Sequence, residues 1–103
     1  MDKRPPDWEL EGFNEAFRWW VDLESPSKAV QRGVTHWITR LYEDPYLFAR
    51  RVPNFGDPNF WEARIPGSRD GQGHIVLCSY WIRETTRTVQ CSLFGTFWEE
   101  TLE

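Results

Sequence analysis

Between residues 26 and 43 the apolar side chains Val30, Val34, Trp37, Ile38, Leu41 and Tyr42 recur at helical spacing. Ser25-Pro26 ahead of them offers a cap and a proline at the first helical position, and Asp44-Pro45 stops the run. The pattern predicts an amphipathic helix over 26–43. Further along, the period falls to two. Residues 60–65 alternate, 74–83 are almost continuously apolar, and 88–97 are mixed. Pro66, Gly67, Gly71 and Gly73 punctuate the first gap, and 84–87 fill the second, so the three runs predict an antiparallel meander. The unbroken apolar stretch 75–82 predicts its central strand.

Toward the start, Trp8-Glu9-Leu10-Glu11 alternates as a short edge strand does, and Gly12 breaks it. Residues 13–24 fit two periods. Phe17, Trp19, Val21 and Leu23 alternate as in a strand, whereas Phe13, Phe17, Trp20 and Val21 form a helical face that Asn14 could cap. Residues 45–59 read as a connection, 1–7 as a frayed end and 98–103 as a peripheral acidic tail. The expected fold is α+β: a small antiparallel sheet, made of the C-terminal meander and an N-terminal strand, with one or two helices on one face.

Composition changes this picture little. The 103 residues make one domain, and seven Trp, seven Phe and three Tyr can fill its core without disulfides or metal. No apolar run approaches the roughly 20 residues that span a bilayer, and no apolar signal region opens the chain, which predicts a cytoplasmic location. In that setting Cys78 and Cys91 are expected as buried thiols, although their adjacent strands could let them face each other.

Charge is uneven. The net of −4 divides into seven acids and three bases over residues 1–27, six acids and nine bases over 28–91, and three acids alone over 92–103. A mildly basic body between acidic ends suits either an anionic partner or simple solubility. Lys28, Arg32, His36 and Arg40 recur every fourth residue, so they form one flank of the predicted helix that could bind phosphates or merely face solvent. Arg83 and Arg87 flank the second turn of the meander as further nucleic-acid-binding candidates. Arg64 ends the first meander strand and His74 opens the next, and a histidine among arginines suits proton transfer near neutral pH. The scattered single His and Cys residues have no metal-ligand spacing, so neither a metal nor a small-molecule cofactor is expected. Exposed aromatics, among Trp19 or Trp20, Phe55 and Trp98, could form a protein-binding patch.

This order of elements, with a helical stretch ending in Asp-Pro and a meander opened by "FWEARI", resembles the RelE/ParE toxin superfamily over residues 8–97. The resemblance implies strand, helix (13–24), helix (26–43) and meander. It also implies ribosome-dependent mRNA cleavage or gyrase inhibition, and a cognate antitoxin bound across the sheet and helices. In the cleaving branch Arg64 and His74 match catalytic positions on the meander, and Phe97 matches one near the end of the last strand. Two features depart from the family's pattern: His74 stands where arginine is usual, and "FGTFWEE" turns acidic where a basic residue is usual. The expectation is therefore a diverged, catalytically weak toxin-type protein. The alternatives are a protein–protein interaction domain without catalysis and a nucleic-acid-binding module without catalysis.

Overall fold

Phe13, Phe17 and Trp20 settle the ambiguous segment, because all three rings meet Phe94 at centroid distances of 5.9–6.4 Å. Only a helix brings those positions to one face, and Trp19, which a strand would have paired with Phe17, is 60% exposed. The computed structural model describes residues 8–52 and 56–102, so the expectations for 1–7, Phe55 and Glu103 lie outside the described residues. Its elements are β1 (Glu9–Glu11), α1 (Phe13–Glu24), α2 (Lys28–Leu41), β2 (Ala49–Arg51), β3 (Phe60–Arg64), β4 (His74–Arg83) and β5 (Thr88–Trp98), followed by a 3₁₀ turn at Glu99–Thr101.

The sheet has five strands in the order β1-β5-β4-β3-β2, with β4 at its centre as the apolar run predicts. Two expectations are corrected. The sheet is mixed rather than antiparallel, because β1 lies parallel to β5, with Leu10 opposite Val89. The two helices between β1 and the meander provide the crossover that a parallel pair needs. The 45–59 connection also contains a strand, β2, which pairs antiparallel with β3 through Ala49 opposite Ala63.

Helix boundaries shift as well. Gly12, at φ 79°, occupies the cap position of α1 that Asn14 was expected to fill. Ser27, rather than Ser25, caps α2, its Oγ accepting the Val30 amide at 3.2 Å. Ser25 instead adopts a left-handed conformation and donates its amide to the Val21 carbonyl, ending α1. Both helices cover one face of the sheet. Val30, Val34, Trp37 and Leu41 from α2 and Phe13 and Trp20 from α1 bury against Ala63, Ile65, Val76, Cys78, Tyr80, Ile82, Val89 and Phe94.

Helix α2 sits directly on backbone. A β-carbon at Gly33 would lie 2.6 Å from the carbonyl carbon of Gly67 and closer still to its oxygen. No side chain can occupy that gap, so glycine sets how deeply α2 seats on the β3–β4 hairpin. Beside this contact Ser68 is buried, donating to the Ile65 carbonyl at 2.7 Å and accepting the Val76 amide at 3.0 Å. Gly33→Ala is expected to cost about 2–4 kcal/mol in a urea titration, because backbone cannot yield as a flexible side chain would. Thr35→Ala, on the exposed flank of the same helix, should stay within about 0.5 kcal/mol.

Candidate functional site

The face of the sheet opposite the helices has no helix packed on it among the described residues. Strand alternation decides which side chains reach it. Ala63 and Ile65 join the helix-covered core, so Phe60, Glu62 and Arg64 of β3 point the other way. On β4 the same rule sends Ile75, Leu77, Ser79 and Trp81 to this face, where Ile75 is nonetheless buried, and the pairing Arg64–Leu77–Gly95 places Arg64 across its middle. Leu93 and Phe97 lie on β5 with Gly95 between them, and both are substantially exposed. The Phe97 ring folds back over Gly95, where a β-carbon would meet it at 2.9 Å.

Cations are spread across this face, each against a local partner. Arg50 on β2 lies 3.8 Å from Glu62. Arg83 donates to Gln90 at 3.2 Å and lies 5.9 Å above the Trp81 ring. Trp81 itself is fixed by a bond to Asp57 at 3.1 Å and by the Phe60 ring at 4.8 Å. At the hairpin end, Arg69 grips Glu99 through Nε and Nη2 at 2.9 and 2.7 Å. That hydrogen-bonded grip, with a further contribution from the charge of Arg64, holds the Glu99 carboxyl below its ordinary range.

His74 belongs to the other face. It shares alternation with Val76 and pairs with Trp98, whose ring stacks on the imidazole at 4.1 Å. Its Nδ1 lies 2.7 Å from Asp70 Oδ2, while Asp70 Oδ1 accepts the amides of Gln72 at 2.8 Å and of His74 at 3.1 Å. The Gln72 amide is the main reason that the Asp70 carboxyl titrates low. The pair lines a cavity of about 360 Å³ between the α1–α2 junction and the hairpin, together with Ser27, Ser68 and Thr96. Arg64 and His74 thus sit on opposite faces and do not converge on one reacting group.

Lys28, Arg32, His36 and Arg40 all line the exposed side of α2, and none is ion-paired among the described residues. Arg87, at φ 56° in the β4–β5 turn, lies 4.3 Å above the Trp8 ring, at the end of the sheet away from His74. Of the aromatics considered for a protein-binding patch, Trp19 and Trp98 are exposed and Trp20 is buried. Asp70 escaped the sequence reading, although an aspartate four residues before a histidine across a glycine-rich turn was the available signal. No helix among the described residues is long and apolar enough to cross a membrane.

No family model matches the chain, and no curated protein matches it by sequence. The solved structures do contain a match: an arginine-to-alanine double mutant of the E. coli toxin RelE in the free state, at a TM-score of 0.56. The fold is RelE-like. The alignment covers 86% of this chain and 82% of that one at 14% identity, so it concerns architecture and not residues. The two helices and the mixed five-stranded sheet make an α+β fold that matches this neighbour.

The two hairpin carboxylates predict a titration result. Because both folded-state values are depressed, their stabilisation is complete above the ordinary values of 3.8 for Asp70 and 4.5 for Glu99. It is lost as pH falls through the lower folded-state values. Carboxyl-carbon NMR should place both midpoints below those ordinary values. Arg69→Ala should return Glu99 toward 4.5 and leave Asp70 unmoved.

Proposed function

We propose that this chain is a RelE-like toxin-type protein that works chiefly by binding through its open sheet face. The partners envisaged are RNA on the ribosome and a cognate antitoxin protein, which would place its action in the cytoplasm. The observation that carries the reading is the uncovered face itself, where Arg50, Arg64 and Arg83 alternate with Leu77, Leu93 and Phe97. Cations interleaved with apolar and aromatic surface suit a phosphate backbone with unstacked bases. The likeness to a protein named as a toxin supports the same reading.

Arg64 remains the open-face candidate for contact with a reacting phosphate, and His74 the candidate for proton transfer. Their placement on opposite faces favours weak catalysis or none. Induced expression should arrest growth, and co-expression of an adjacent gene's product should relieve the arrest. Arg64→Ala should weaken it. Normal growth on expression, with no change in translation by purified ribosomes, would count decisively against the reading.

The row on α2 supports a second reading, a nucleic-acid-binding module, because its four basic side chains are exposed together. There, Arg32→Ala and Arg40→Ala should each lower the slope of log affinity against log salt by about one. Affinity indifferent to salt would exclude it. A protein-interaction role draws on Trp19 and Leu23, one turn apart on α1 and both more than half exposed. Loss of a single captured partner on Trp19→Ala would favour that role.

A further inference from the structure

Strand β5 changes face partway along. Leu93 and Phe97 point to the open face and Phe94 to the core, so strict alternation would send Cys91 outward with Leu93. The pairing with β4 instead jumps from Ser79–Leu93 to Tyr80–Cys91, leaving Ser92 unpaired. This bulge resets the alternation and turns Cys91 inward, beside Cys78 on the neighbouring strand. The two sulfurs come to 3.7 Å, although thirteen positions separate the residues. Both are free thiols.

We propose that Cys78 and Cys91 form an oxidative modification site that a peroxide converts to an intrachain disulfide. The two cysteines differ in what they can do. Cys78 is fully buried, and burial pushes its thiol well up, so it is a poor first nucleophile. Cys91 is half-buried beside Gly12, at the start of α1, and is the more accessible of the two. The Cys91 thiol gives up its proton, and its thiolate attacks one peroxide oxygen and breaks the O–O bond; the sulfur becomes a sulfenic acid, and the departing hydroxide takes that proton and leaves as one water. Cys78 then attacks the Cys91 sulfur and expels the hydroxyl, which takes the Cys78 proton and leaves as a second water. In sum, two thiols lose two electrons and two protons, and one peroxide becomes two waters.

The sulfurs must close from 3.7 Å to about 2.05 Å, so bond formation requires both side chains to rotate toward each other. The bond would tie the central strand to β5 beneath α1, on the face away from Arg64 and Phe97. It is independent of the proposed function, since it requires neither RNA nor an antitoxin.

The test treats the reduced, folded protein with hydrogen peroxide and maps its cysteine peptides without reduction. The expected result is a Cys78–Cys91 linked peptide, a mass lower by about 2 Da, recovery on adding a dithiol, and a melting temperature at or above that of the reduced protein. In Cys78→Ser the sulfenic acid should go unresolved and Cys91 should advance to sulfinic acid. Peroxide-treated wild type with both thiols intact would overturn the proposal. So would sulfinic acid at Cys91, chain-to-chain links in place of the internal bond, or a lowered melting temperature. The wild-type result decides the matter even if the variant does not fold.

Discussion

The approach of Gly33 to Gly67 is the contact on which the remaining geometry depends. It lets α2 rest on the hairpin backbone itself, and from that seat Val30, Val34, Trp37 and Leu41 reach the sheet. The same contact holds the hairpin at the depth where Ser68 is buried and bonded to both Ile65 and Val76. Every charged device at that end then follows from a fixed loop: Asp70 against His74, and Arg69 against Glu99. With α1 packed alongside through Phe94, both helices are committed to one face. The other face carries no helix among the described residues as a direct consequence.

That division separates the molecule's chemistry. The helix-covered side holds a closed aromatic core, two thiols in contact and, at its rim, a histidine oriented by an aspartate. The open side offers area, exposed Leu93 and Phe97, and arginines steered by nearby acids. Partial neutralisation by Glu62 and Glu99 lowers the field available to an RNA, but it also holds long cationic side chains in defined places. A binding surface built this way trades electrostatic reach for order.

Much of the architecture was legible because it follows from period alone. The α2 face and the central position of β4 are examples. Residues 13–24 were not, since one set of four apolar residues fits a strand and another set of four fits a helix, and contact with Phe94 selects the second. Strand β2 was hidden because an edge strand reading Ala-Arg-Arg has no apolar pattern to announce it. The direction of β1 was hidden because three residues carry no sign of which way a neighbour runs. The opposite placement of Arg64 and His74 was obscured by β4 itself: with Ile75 and Leu77 as apolar as Val76 and Cys78, alternation left no mark. Nor could composition reveal the bulge at Ser92, opposite the Ser79–Tyr80 step of β4, which brings Cys91 to Cys78.

The proposal to be tested is that RNA would meet the sheet face opposite the helices and not the basic flank of α2. Backbone amide NMR of the labelled protein titrated with a short single-stranded RNA tests it directly. The account predicts shifts concentrated at Glu62, Arg64, Leu77, Ser79, Leu93, Gly95 and Phe97, with Lys28, Arg32, His36 and Arg40 left in place. Shifts confined to α2, with the β3, β4 and β5 amides unmoved, would contradict it.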